Sequence, residues 1–298
     1  MAEATHATQS LTDEVIARLE GCTDARFKEV MTSLVRHVHD FVRSVDLTGD
    51  EWMQAIQFLT ATGKACTDKR QEFILLSDTL GVSMLVVALA QARASEAPAG
   101  ATPATEATVQ GPYYWAGAPE RPLGYDIGEG VPGEPALYTG RVTDTDGCPL
   151  AGAVLDVWSG DGEGVYDMQM EGSGQMRARG VFRTDAQGRF WLWSIRPSFY
   201  PIPMDGPVGR MIERMGRDPN RPGHIHMIVS AEGHVPVTTH LFVADSPYIE
   251  SDIVFGVRES LIVPFEQHAP GTAADGRAMS KPYWSAHYDF RLAPAKPA

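Results

Sequence analysis

The chain has 298 residues, 43% of them hydrophobic and 21% charged, which suits one large globular domain or two of moderate size and excludes a disordered or fibrous chain. Its 25 basic side chains against 38 acidic ones leave a formal charge of -13, which repels phosphate backbones and anionic lipid surfaces, so nucleic acid is not expected as a partner. The longest apolar run, Met84 to Ala90, is far short of the ~20 residues that cross a bilayer, and the polar start from Met1 to Ser10 lacks the order of a signal peptide. The expectation is a cytoplasmic protein without a membrane span. Cys22, Cys66 and Cys148 are odd in number and irregularly spaced, which reads as reduced, mostly buried thiols rather than a disulfide framework or thiolate metal site.

None of the 21 prolines precedes Pro98, and only Gly21, Gly49, Gly63 and Gly81 of the 29 glycines fall in that stretch. Because proline breaks helices and glycine weakens them, the chain reads as helical first and then as strands with turns. Ser10 with Asp13 starts a weak helix. From Asp24 a second helix aligns Phe27, Val30, Met31, Leu34, Val38, Phe41, Val42 and Val45 on one face. Thr48 with Glu51 is a capping box that opens a third through Trp52, Ile56 and Leu59. A fourth helical stretch, Glu72 to Ala92, is apolar on most sides and calls for burial against other helices, including those of a second subunit.

Between Ala92 and Thr108 the composition turns to Ala, Pro, Thr and Glu, which places a joint there and divides the chain into residues 1–105 and 106–298. Beyond it, turn signals at Asp144 to Gly147, Ser159 to Gly162, Asp185 to Gly188 and Glu232 to Gly233 separate short runs rich in Val, Thr, Phe and Trp. The clearest strands are Val154 to Trp158, Arg189 to Ile195, His224 to Val229 and Thr238 to Val243. The expected fold class is α+β, a helical domain followed by an antiparallel β-sandwich or barrel.

His224 and His226 stand two residues apart on a strand, so both imidazoles point to one face and can reach a single ion about 2 Å from each nitrogen. His37 and His39 share that spacing on a helix, where a step of two turns roughly 200° and sends the rings apart onto a solvated face. By itself, His-x-His fits either a metal site or two polar groups satisfied elsewhere. No cysteine or turn carboxylate lies nearby, and Asp245 and Glu250 read as loop residues. Tyr166 and Tyr200, each in an irregular segment after a predicted strand, are candidate further ligands, although either by itself reads first as an amphipathic packing residue.

The order Gly164-Val165-Tyr166, then Arg196-Pro197-Ser198-Phe199-Tyr200-Pro201-Ile202-Pro203, then Arg221-Pro222-Gly223-His224-Ile225-His226 resembles the intradiol ring-cleaving dioxygenases, across both the helical part and the sandwich. Within that family, Val165-Tyr166-Asp167, Leu76-Ser77-Asp78-Thr79-Leu80-Gly81 and Thr239-His240-Leu241-Phe242 are most similar to the hydroxyquinol 1,2-dioxygenase branch. The resemblance implies a mononuclear Fe(III) held by Tyr166, Tyr200, His224 and His226. This agrees with independent chemistry: a free phenol has a pKa near ~10, so tyrosinate ligands call for a strong Lewis acid that favours hard anionic oxygen.

The resemblance also implies that Tyr200 leaves the iron as the diol chelates it, accepting a substrate proton, and that Arg221 sets a fixed positive charge beside the bound ring. Taken alone, Arg221 also reads as a surface turn arginine. His240 is implied as a hydrogen-bond donor near the oxygen or the ligands, a satisfied strand histidine being the other reading. In the resemblance, Leu75, Asp78, Val109, Gly111, Pro112 and Val254 occupy pocket-wall positions, with Asp78 either the partner of a third ring hydroxyl or a helix cap.

The implied reaction inserts both atoms of dioxygen into hydroxyquinol (1,2,4-trihydroxybenzene), giving 3-hydroxy-cis,cis-muconate or its tautomer maleylacetate, in aromatic degradation. The implied assembly is a homodimer through the N-terminal helices with a lipid buried at the interface. The alternatives are the same cleavage of catechol or chlorocatechol, a zinc hydrolase built on the two histidines and a carboxylate, and a non-enzymatic sandwich binding module.

Overall fold

The computed structural model describes residues 2–67, 70–94, 102–170 and 175–295, and the expected joint between Ala92 and Thr108 includes residues 95–101, which lie outside these. Met1–Ala61 and Thr62–Ala298 form two compact units.

In the first unit, α1 (Ala2–Ala17) runs straight through the Ser10 to Asp13 stretch expected to start it, so that stretch is helix interior and no cap. Helix α2 (Ala25–Ser44) opens where the Asp24 carboxylate accepts the Phe27 N–H at 2.9 Å. Its apolar stripe is present, and Phe27, Leu34, Phe41 and Val45 are more than half exposed. The predicted solvated face holds for His37. His39 departs from it, because its Nδ1 sits 2.9 Å from Thr12 Oγ1 on α1, where Arg43 also donates. Helix α3 (Gly49–Ala65) opens on the capping box, with the Thr48 N–H donating to Glu51 at 2.9 Å and the Glu51 N–H to Thr48 Oγ1 at 3.3 Å.

The single helix expected from Glu72 to Ala92 is two, α4 (Glu72–Thr79) and α5 (Val82–Ala94), bent by 73°. Gly81 causes the break: its φ of 74° is open to glycine without strain, and its N–H closes the last turn on the Asp78 carbonyl. Among the described residues no single helix is long and apolar enough to cross a membrane, and α4 with most of α5 reaches that length only as a bent pair.

The strands are β1 (Pro135–Asp144), β2 (Val154–Trp158), β3 (Arg179–Arg183), β4 (Arg189–Ile195), β5 (Tyr200–Pro201), β6 (Asn220–Arg221), β7 (His224–Ser230), β8 (Val237–Val243) and β9 (Ile262–Val263), with short ones after them. Helix α6 (Pro207–Met215) lies between β5 and β6. One sheet runs β3-β2-β7-β8-β9; the other is built on β1, which pairs antiparallel with β4 and parallel with Tyr283–His287 and Phe290–Leu292. Parallel pairing recurs between β8 and β9, so both sheets are mixed. The β1, β3, β5, β6 and β9 strands lie outside the four read most clearly in the sequence.

Alternation along the strands separates core from site. Leu155, Val157, Phe182, Ile225, Met227, Val229 and Leu241 pack against Ala136, Tyr138, Val142, Phe190 and Leu192 of the other sheet. Each such burial is worth roughly 1.5–3 kcal/mol for a large aliphatic or aromatic side chain. On the opposite face of the same strands stand Trp158, His224, His226 and His240. The cysteines depart from the mostly buried reading: all three are free, Cys148 exposed and Cys22 and Cys66 half-buried.

Candidate metal centre and active site

Register assembles the centre. Trp158 lies opposite His226, and His226 opposite His240, so three aromatic side chains line up across β2, β7 and β8. The Trp158 indole stacks on His226 with centroids 4.7 Å apart and planes 15° apart, which fixes that ring. His224 is fixed differently. Its Nδ1 is 2.7 Å from the Pro222 carbonyl, to which it donates, leaving the Nε2 lone pair aimed into the site.

Tyr166 follows β2 and enters from a turn. Its N–H donates to Gln169 at 2.8 Å, Tyr113 stacks on its ring at 4.5 Å, and the neighbouring Asp167 is gripped by buried Arg179. Tyr200 sits on β5, whose partner across the ladder is Arg221. A side chain at Gly164 would lie 2.5 Å from the Tyr200 Cβ, so glycine there allows the two tyrosine-bearing segments to approach.

The four expected metal ligands meet. Tyr166 Oη is 2.8 Å from His226 Nε2 and 3.4 Å from Tyr200 Oη, and Tyr200 Oη is 3.4 Å from His224 Nε2. Atoms held at about 2.0–2.1 Å from one ion stand roughly 2.9–3.4 Å apart, so this donor set fits a single metal. Among the described residues the histidine, cysteine and carboxylate atoms able to share an ion are those of His224, His226 and His240, with no carboxylate. His240 is fully buried beside His224 and His226, and the backbone at Val109 is the polar group that favours its charged form.

Burial and the charge of Arg221 pull His224 down to about 3, and burial with the neighbouring histidines and Arg221 holds His226 and His240 well below the usual range. All three imidazoles are therefore neutral at pH 7, the form that ligates metals. Burial, reinforced by Tyr200, pushes the Tyr166 phenol well above its ordinary value.

Arg221 is buried, which removes the reading of a surface turn arginine. Burial opposes its charge, and Asp252 more than offsets this, receiving Nε at 3.1 Å and Nη2 at 3.3 Å while the Gly256 N–H donates to the same carboxylate at 2.9 Å. Its Nη1 stands 3.1 Å from His224 Nε2, placing fixed positive charge beside the donor set.

Asp78, Val109, Gly111 and Pro112 line one cavity of about 530 Å³ together with Gln71, Ile74, Ser77, Ser83, Val86, Val87 and Gln110. Gly111 lies against the edge of His226. Leu75 and Val254 are not among the residues lining this cavity; Leu75 is half-buried on α4 and Val254 is buried on the loop that carries Asp252. Asp78 stands in the last turn of α4, and its carboxyl meets the Ser83 side chain in the first turn of α5. Burial pushes its carboxyl up, while Ser83 and the charge of Arg221 pull it down. Trp158, Tyr113, Asp252 and Ser83 went unread in the sequence, since only the strand register and long-range contacts bring them to the site.

Comparison with known proteins agrees with this geometry. A family model described as "Dioxygenase" matches residues 109–294, and one described as "Catechol dioxygenase N terminus" matches residues 24–98. The chain is 47% identical to a hydroxyquinol 1,2-dioxygenase of a Rhizobium species, covering 94% of each, and 50% identical to a 6-chlorohydroxyquinol 1,2-dioxygenase of Cupriavidus pinatubonensis, covering 88% of this chain and 93% of that one. The crystal structure of a hydroxyquinol 1,2-dioxygenase from Pseudomonas putida superposes with a TM-score of 0.89 at 44% identity, over 98% of this chain and 100% of the other. The chain belongs to the intradiol ring-cleaving dioxygenases. It is an enzyme of an iron-dependent family whose fold it shares from the N-terminal helices to the sandwich, which sets aside the zinc hydrolase and the binding module.

Proposed function

We propose that this enzyme is a hydroxyquinol 1,2-dioxygenase that uses Fe(III) held by Tyr166, Tyr200, His224 and His226. The observation that carries the reading is the buried meeting of two phenols and two neutral imidazoles. A phenol that burial pushes up loses its proton to solvent only when a strongly charged Lewis acid that favours hard anionic oxygen would take the phenolate, which favours the ferric ion. Bound there, Fe(III) would act as a Lewis acid on the two adjacent hydroxyls, making the ring open to attack by dioxygen.

The protein's own groups do the rest. Tyr200 Oη accepts a proton from one substrate hydroxyl. Arg221, kept charged by Asp252, stabilises negative charge on the deprotonated ring. Trp158 and Tyr113 hold His226 and Tyr166 in place and exclude water. His240 offers a ring N–H to oxygen atoms beside the ligands. Asp78 faces the third hydroxyl across the cavity, with Val109, Gly111 and Pro112 as apolar or backbone walls, while Leu75 and Val254 are assigned to the outer pocket wall beyond that lining. The net reaction joins one dioxygen to hydroxyquinol, breaks the bond between its two adjacent hydroxylated carbons and yields 3-hydroxy-cis,cis-muconate, which tautomerises to maleylacetate.

Oxygen uptake on hydroxyquinol, catechol and chlorocatechol tests this. One dioxygen consumed per hydroxyquinol, with a preference over catechol that falls about tenfold in Asp78→Ala, is the expected result. A wild type that prefers catechol or chlorocatechol contradicts the substrate assignment. The cytoplasmic placement is part of the same reading, supported by three free cysteines. So are a homodimer through the exposed stripe of α2 and a lipid against exposed Leu85, Val86 and Leu89 of α5. A dimer mass with a co-extracting lipid is expected; a monomer, or a lipid-free dimer, removes the corresponding part.

A further inference from the structure

Helix α6 is the excursion between Tyr200 and Arg221, and it is tied to α4 at both ends. Its first turn meets Glu72, the fully buried residue that opens α4, whose carboxylate accepts the Val208 N–H at 3.1 Å. Its last turn closes at Gly216 in the left-handed conformation, with the Arg217 N–H returning to the Ile212 carbonyl. That turn aims the Arg217 side chain back toward the end of α4.

There Arg217 bridges two segments distant in sequence. Its Nη1 donates to the Thr79 carbonyl at 2.6 Å and its Nη2 to the Ile253 carbonyl at 2.9 Å. Its guanidinium lies 4.6 Å over the Phe255 ring, a residue held at a φ of 58°. Thr79 follows Asp78 directly, and Ile253 stands between Asp252 and Val254. One planar fork therefore fixes the backbone beside the residue facing the third hydroxyl, beside the carboxylate that holds Arg221, and beside the buried Val254.

We infer that Arg217 is a positioning residue for diol selectivity, holding the end of α4 and the 252–256 loop in register so that Asp78 meets the third hydroxyl. This rests on the assignment of Asp78 given above. Arg217 touches neither substrate nor metal ligands. A lysine keeps the charge but presents no rigid fork for two carbonyls.

The test measures KM and kcat for hydroxyquinol and catechol with the iron-loaded full-length enzyme, wild type, Arg217→Gln and Arg217→Lys, alongside the visible band and unfolding temperature. Arg217→Gln is expected to raise KM for hydroxyquinol roughly three- to tenfold with little change in kcat, while catechol kinetics and the band hold, and Arg217→Lys falls between. Equal losses on both diols, or an unchanged selectivity ratio, overturn the inference. Should Arg217→Gln fail to fold, Arg217→Lys carries the same comparison. A wild type that prefers catechol overturns the substrate assignment, and the Arg217 inference then stands or falls on whether the ratio moves.

Discussion

The two faces of β7 have opposite economies. Ile225, Met227 and Val229 are completely buried among apolar neighbours, whereas His224 and His226, interleaved with them, are equally buried among groups that want charge or a lone-pair partner. The Trp158 Nε1 is buried without a hydrogen-bond partner, and His226 and His240 have only backbone groups, at Gln110 and Val109, to favour their charged forms, an arrangement that costs stability. The lesson is that one strand carries two designs at a period of two. The core face stabilises the sandwich, and that stability holds neutral donors in place on the other face.

Substitutions at adjacent positions sharpen the contrast. His226→Ala removes a ligand and is expected to lower activity at least roughly a thousandfold with loss of the visible band. Met227→Ala, one residue on, is expected to cost about 2–5 kcal/mol in denaturant unfolding while the folded fraction keeps its band. If Met227→Ala lost the band in folded protein, or His226→Ala kept it, the division between the faces would fail. The smallest expected effect is at Asp78, the tenfold change in selectivity described above, with the metal centre untouched.

How much of this was legible depended on the range of the signal. The His224–His226 pair could be read because strand alternation is local, and so could the Asp24 cap and the Thr48–Glu51 box. The tyrosines carried a weaker local mark, an irregular segment after a predicted strand, and the order of three motifs along the chain turned them from candidates into an expected ligand set. The break at Gly81 was available in the sequence but masked by apolar residues on both sides, which imitate one continuous helix. Asp252 and Arg217 were illegible, since their partners lie 31 residues away for Arg221 and 138 and 36 residues away for Thr79 and Ile253. The Tyr283–His287 and Phe290–Leu292 strands are too short for periodicity, and their parallel pairing with β1 is set by chain topology.

The central claim, that two tyrosines and two histidines hold a ferric ion on which the diol binds, is tested most directly by the visible spectrum of the purified enzyme before and after hydroxyquinol is added without oxygen. The account predicts a broad tyrosinate-to-iron(III) band that moves to longer wavelength on addition and is lost or shifted in Tyr166→Phe. A protein that stays colourless when supplied with iron(III), or a band indifferent to both the diol and Tyr166→Phe, would contradict it.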